Sequence, residues 1–204
     1  MALQSLNLVK PGDVAPKLSL NLAKPARFSV ELFWDSVHDL DAHALLATNS
    51  GGGAKVSAFE QVLSTYNAKK TNPQGYLSSN PDGSFSTPEG ALTHSGDTRT
   101  GVNSDIDEVI TIDGAKVPAG VNEIPIFVTV HPSNLAKFSE VKTAGIRIKN
   151  DQGSILGEFK LTDQFGQFDA VQMGSLLLGQ NGWEYAAAGA GFNGDFNTIL
   201  GHFS

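Results

Sequence analysis

The chain has 204 residues and no cysteine, which excludes disulfides, zinc–thiolate sites and thiol nucleophiles. A formal charge of −7 with only 14 Lys and Arg argues against binding nucleic-acid backbones and favours cations. Hydrophobic residues at 40% with 22 Gly mark a globular chain rich in turns, and its length makes one domain, residues 1–204, the expectation.

Met1–Pro25 alternates apolar and polar residues and lacks the basic start and apolar run of a secretory signal. No stretch approaches the roughly 20 apolar residues that span a bilayer, so the expectation is a cytoplasmic protein without membrane insertion. Leu18, Leu20 and Leu22, then Phe28, Val30, Leu32 and Trp34, recur with the period of two of half-buried strands. Val56, Phe59, Val62, Leu63 and Tyr66 fit one face of a helix as well as they fit a strand.

From Ala68 to Ser86 the chain is polar and carries Asn72-Pro73-Gln74-Gly75 and Asn80-Pro81-Asp82-Gly83, which reads as a long surface excursion with two successive turns. Further on, alternation returns at Val109–Ile112, at Ile124–Val130 and at Ile146 and Ile148, and more weakly at Ser154–Leu161, Ala170–Leu178 and Trp183–Ala188. Asp151-Gln152-Gly153 is a hairpin connection, and Asp195 is the expected cap of a short helix over Asp195–Phe203. Many strands with few helical patterns predict an all-β sandwich or barrel.

Two segments concentrate carboxylates: Trp34-Asp35-Ser36-Val37-His38-Asp39-Leu40-Asp41, and Gly96-Asp97-Thr98-Arg99-Thr100-Gly101 continuing to Asp105-Ile106-Asp107-Glu108. Like charges packed this closely either stay solvated or share a cation, and calcium suits an irregular loop because it accepts six to eight oxygen ligands. The span Asp97–Glu108 has the length of an EF-hand loop. It fails that test, since Arg99, Gly101 and Val102 occupy positions that need two acids and a glycine.

In this order the two segments resemble the motifs of the TerD family: a Trp-Asp followed by Asp-Leu-Asp-Ala, then a Gly-Asp-Asn-x-x-Thr-Gly loop ending in Asp-Asp-Glu. The likeness continues through Val117-Pro118-Ala119-Gly120-Val121, Phe138-x-x-Val141-x-x-Ala144-x-Ile146-Arg147-Ile148 and Trp183-Glu184-Tyr185-x-Ala187-x-Gly189-x-Gly191-Phe192, covering about residues 5 to 200.

The resemblance implies a β-sandwich of two mostly antiparallel sheets with short peripheral helices. It also implies calcium binding through the acidic loops, a role in resistance to tellurite and other stresses, and no catalytic activity. Carried over by position, the ligands are Asp39, Asp41, Asp97, Asp107 and Glu108, with Asp35 as a neighbour. Three departures bear on this set. Thr98 replaces the family's Asn and offers a hydroxyl. Ile106 replaces the first Asp of the triplet, with the acid displaced to Asp105. The 68–86 excursion is an addition, which suggests a protein partner or self-assembly.

Gly189-Ala190-Gly191-Phe192-Asn193-Gly194 matches a dinucleotide-binding pattern, but only ten residues follow it, so its glycines are assigned to a turn or to close strand packing. His38 and His43 fall on opposite faces of an extended segment, which disfavours a two-histidine metal site. Trp34 and Trp183 end apolar runs and are read as core. Three functional expectations stand: a non-catalytic calcium-binding or scaffold module, a structural component of a large assembly such as a phage virion or contractile tail, and a metal-dependent hydrolase. The last lacks a recognisable base.

Overall fold

The computed structural model describes residues 5–7, 14–102, 105–161 and 163–204; Asn103 and Ser104 of the second acidic segment, and part of the Met1–Pro25 stretch, lie outside them. In chain order the strands are β1 (Ser5–Asn7), β2 (Lys17–Leu22), β3 (Arg27–Asp35), β4 (Leu40–Leu45), β5 (Thr48–Asn49), β6 (Ala54–Lys55), β7 (Val62–Leu63) and β8 (Phe85–Ser86). They continue as β9 (Leu92–His94), β10 (Glu108–Asp113), β11 (Glu123–Val130), β12 (Lys142–Asn150), β13 (Ile155–Lys160), β14 (Ala170–Gly179), β15 (Gly182–Ala186) and β16 (Ala190–Phe192). A short helix, α1 (Phe196–Leu200), follows.

One sheet runs β1-β13-β12-β3-β10-β9-β8 and the other β2-β15-β14-β11-β4-β7, with β16 added beside β14. Among the described strands pairing is antiparallel except between β1 and β13. The alternation read from the sequence builds the space between the sheets. Phe28, Val30, Leu32 and Trp34 of β3 join Ile146 and Ile148 of β12, while Ile124, Ile126 and Val128 of β11 and Trp183 and Tyr185 of β15 come from the other side. Aromatic pairs cross the layer, with ring centroids 5.5 Å apart for Phe28–Trp183 and 4.2 Å for Phe159–Tyr185. The indole of Trp183 donates to the Lys24 carbonyl at 3.1 Å, so its burial leaves no polar atom unpaired.

The two sheets differ on their outer faces. That of the first carries ion pairs, with Lys149 paired to Glu31 and Arg147 to Glu158, each at 2.7 Å. The second is buried again, because Phe196, Ile199, Leu200 and Phe203 at the C-terminus pack with Leu45, Val62, Phe127 and Ala170. As a result every residue of β4 is buried on one face or the other. Asp195 caps α1 as expected, its carboxylate accepting from Thr198 N at 2.9 Å and Thr198 Oγ1 at 2.8 Å.

The ambiguous Val56–Tyr66 segment forms no continuous helix. Two 3₁₀ turns, Phe59–Gln61 and Thr65–Asn67, flank β7. The Asn67 amide donates to the carbonyls of Phe59 and Val62, both at 2.8 Å, and so takes acceptors that a helix would need. The 68–86 excursion makes its two turns where the sequence places them, through Gly75 N to Asn72 O at 2.8 Å and Gly83 N to Asn80 O at 3.0 Å. It is nonetheless anchored, with Ala68, Leu77 and Phe85 at most 2% exposed. Among the described residues no helix is long and apolar enough to cross a membrane.

Glycine is required by geometry in the β14–β15 turn. Gly182 has φ 102°, and a Cβ there would lie 2.1 Å from the Leu22 carbonyl. The Gly182→Ala variant is expected to lose about 1–3 kcal/mol, seen as a lower urea midpoint at unchanged slope. An unchanged midpoint would show that the turn relaxes freely. Gly191 likewise lies under the Phe168 ring in β16, the strand-packing role expected for that glycine-rich run.

Candidate metal centre

The two acidic segments meet where β4 and β7, at one edge of the second sheet, lie against β10 and β9 of the first. Asp39 precedes β4, Asp41 lies on it, and Asp97 comes from the β9–β10 loop. One carboxylate oxygen from each lies within 4.8 Å of the other two. Two oxygens bound to one calcium ion are at most about 5 Å apart, so the trio is close enough to share one.

Each member is held differently. Asp41 is 1% exposed, and its oxygens accept hydrogen bonds from Thr65 Oγ1 at 2.9 Å and Tyr66 Oη at 2.6 Å. Burial raises its carboxyl above the ordinary carboxylate range, and these two bonds oppose the rise. Burial also raises the Tyr66 phenol, aided by the charge of Asp41, which keeps it a donor at neutral pH. Asp39 is half-buried, with its backbone carbonyl accepting from His131 N at 2.9 Å. Its Oδ1 is sequestered without a hydrogen-bond partner. Burial first, then the charges of Asp41 and Asp97, push its carboxyl up to about 7, and His131 opposes them. Asp97 is exposed and pairs with Arg99 at 3.4 Å.

The second loop is positioned by its own family-like residues. Glu108 is fully buried, accepting from Ala42 N at 2.7 Å and Thr98 N at 3.2 Å, with His94 Nε2 3.3 Å away. It therefore ties β10 to β4 and to the residue after Asp97. Burial raises its carboxyl as well. Asp107 Oδ2 accepts from Trp34 N at 2.9 Å, and its carbonyl accepts from Thr98 Oγ1 at 2.7 Å. The Gly101 amide donates to Ser36 O at 3.2 Å; a Cβ at Gly101 would lie 2.6 Å from the Trp34 indole, so a larger residue would part the two loops.

Of the eight residues singled out in the sequence, then, Asp39, Asp41 and Asp97 converge. Asp107, Glu108 and Thr98 surround them as hydrogen-bonding supports. Asp35 and Asp105 are exposed and outside the trio; the Asp105 carbonyl instead accepts from Arg147 at 3.2 Å. The sequence reading missed Thr65 and Tyr66, although Tyr66 had been placed on an apolar face by periodicity. It also missed His94. His43, between Asp41 and Leu45 on the outer face of β4, is fully buried against the Phe196 ring at 4.3 Å.

The trio lines a cleft of about 1000 Å³, and the 68–86 excursion contributes Lys70, Ser79 and Asp82 to the same lining. An all-oxygen set of three carboxylates with one sequestered, unpartnered oxygen fits a hard divalent cation.

Residues 7–203 match the family described as TerD domain. The chain is 28% identical to a tellurium resistance protein TerD of Serratia marcescens over 98% of this chain and 97% of that one. It is 30% identical to a general stress protein of Bacillus subtilis over 54% of this chain and 58% of that one. A crystal structure of a homologue of telluride resistance protein from Streptomyces coelicolor shares the fold, with a TM-score of 0.59 at 18% identity, covering 86% of this chain and 95% of that one.

Proposed function

The chain belongs to the TerD family of tellurite-resistance and stress-response proteins, and from that premise we propose that it is a non-catalytic calcium-binding module whose cation is held by Asp39, Asp41 and Asp97. The observation that carries this reading is the approach of one oxygen from each of the three carboxylates to within 4.8 Å of the others, one of the three residues, Asp39, also having an unpartnered Oδ1. Uncompensated, these charges repel; a divalent ion offsets the repulsion and locks the β3–β4 and β9–β10 loops together. Glu108, Asp107 and Thr98 then fix the frame in which the cation sits. The rigid surface so formed is what a protein partner would meet. The relatives named above are resistance and stress proteins, which favours this reading over a role in a large assembly.

Calorimetric titration of calcium into chelator-stripped protein tests the proposal. Saturable heat is expected in the native chain, with marked weakening in Asp97→Ala, a variant chosen because that side chain is exposed and leaves the core untouched. A native chain that gives no heat would sink the proposal.

Binding should also depend on pH. Calcium requires the ionised carboxylate, so below the Asp39 pKa of about 7 each ion bound displaces a proton. Apparent affinity is expected to fall about tenfold from pH 8 to pH 6, and Asp39→Asn should flatten that slope. A flat profile in the native chain would remove Asp39 from the site. The stability of the metal-free protein runs the opposite way: a carboxyl raised by folding stabilises below its unfolded pKa of 3.8, and that contribution is lost as pH rises through about 7.

A further inference from the structure

We propose that His94 is a positioning residue of the cation loop, its ring fixing the backbone on both sides of Asp97 so that this carboxylate is held in place for a divalent ion; this rests on the calcium reading above. His94 ends β9 and is fully buried, paired in register with Phe85 of β8 and Ile110 of β10. Its ring stacks on that of Phe85, with centroids 4.7 Å apart and planes 11° from parallel. The 68–86 excursion thereby buttresses the imidazole through a phenyl ring that is itself buried.

A ring closed off from water has to find protein partners for its nitrogens. Nδ1 accepts from the Gly96 N–H at 3.1 Å. With that lone pair committed, the ring proton is assigned to Nε2. Nε2 makes a bent approach of 3.3 Å to Glu108 Oε2 and has no hydrogen-bond partner elsewhere. The other oxygen of Glu108 accepts from Thr98 N at 3.2 Å. One nitrogen therefore holds the amide of residue 96 directly, and the other faces the carboxylate that holds the amide of residue 98. Asp97 is the residue between them.

The loop has need of such a fastening. Ser95 N still donates to Val109 O at 2.9 Å, after which Gly96 turns away with φ 111°. An acceptor supplied by the side chain two residues earlier closes that turn, as asparagine and aspartate do with their own backbone. The exposed Asp97 side chain meets only the exposed Arg99, at 3.4 Å, so its position relative to Asp39 and Asp41 is set by its backbone. A backbone ordered beforehand removes an entropy cost from cation binding.

Two variants separate positioning from packing. His94→Phe keeps a ring against Phe85 and removes both nitrogens. His94→Asn loses the ring but carries an oxygen able to reach the amide two residues on. Calorimetric titration of calcium into the full chain is expected to show affinity about tenfold weaker in His94→Phe and close to native in His94→Asn. A residue that only fills the core would give the reverse order, because phenylalanine keeps the volume and asparagine leaves a cavity. Hydrogen exchange on the calcium-free proteins reads the fastening itself. The Gly96 amide should be protected in the native chain and in His94→Asn and exchange faster in His94→Phe, while Ile126 of the other sheet stays protected in all three. The reverse order of affinities, or a Gly96 amide unchanged in His94→Phe, would overturn the inference and leave the calcium reading intact. A native chain that gives no calcium heat would overturn the reading beneath it, and the exchange result would still decide whether His94 holds the loop.

Discussion

Saturating calcium is expected to raise the melting temperature of the stripped protein by about 5–10 °C. A ligand that binds only the folded state at a hundred times its dissociation constant stabilises it by about 2.7 kcal/mol, and a domain of this length shifts by about 2–4 °C for each kcal/mol. The folded state alone assembles the site, because Asp39 and Asp41 are separated by a whole strand-and-loop region from Asp97. A variant carrying Asp39→Ala and Asp97→Ala together should lose the shift. It should also melt no lower than the stripped native protein, since removing two of three crowded carboxylates relieves repulsion that the metal-free chain has to bear. A shift of the same size in that variant would place the stabilising ion elsewhere.

The Glu108→Ala variant is expected to destabilise the protein by about 3–5 kcal/mol, lowering the melt by about 6–20 °C. The side chain is fully buried, and its loss leaves the amides of Ala42 and Thr98 without their acceptor and His94 without its neighbour. Each abandoned donor carries a desolvation cost of about 1–3 kcal/mol. Glu108→Gln should fall between the two, keeping one carbonyl oxygen for Ala42 N but turning its amide NH2, a donor, toward the Thr98 N–H donor. Because Thr98 follows Asp97, both substitutions should weaken calcium binding in proportion to the damage. Glu108→Ala melting with the native protein would mean that the two sheets are joined at this corner by other contacts.

These two expectations separate roles that one acidic motif had merged. Read along the chain, Asp97, Asp107 and Glu108 are three acids of one loop, and resemblance assigns them one task. In the fold Glu108 turns inward to hold Ala42 of the other sheet and Asp107 holds the Trp34 amide, whereas Asp97 stays at the surface. No spacing rule distinguishes them, since the divergence depends on which amide of a distant strand each carboxylate meets.

The sequence by itself determined the core and much of the outline. Period-two alternation located β2, β3, β10 and β11 because each has one face toward the interior, and Asn-Pro and Gly signals located the turns of the 68–86 excursion. The acidic residues and their family likeness were also legible, so the candidate site could be named residue by residue. Tertiary structure alone decided the rest. Strand β4 hides both faces, with Asp41 and His43 covered by Tyr66 and the C-terminal segment, so its pattern of buried polar residues imitates a solvated loop. Tyr66, His94 and Lys70 entered the site's surroundings from segments that carry no acidic signal. They do so because packing, unlike periodicity, is settled between residues far apart in the chain.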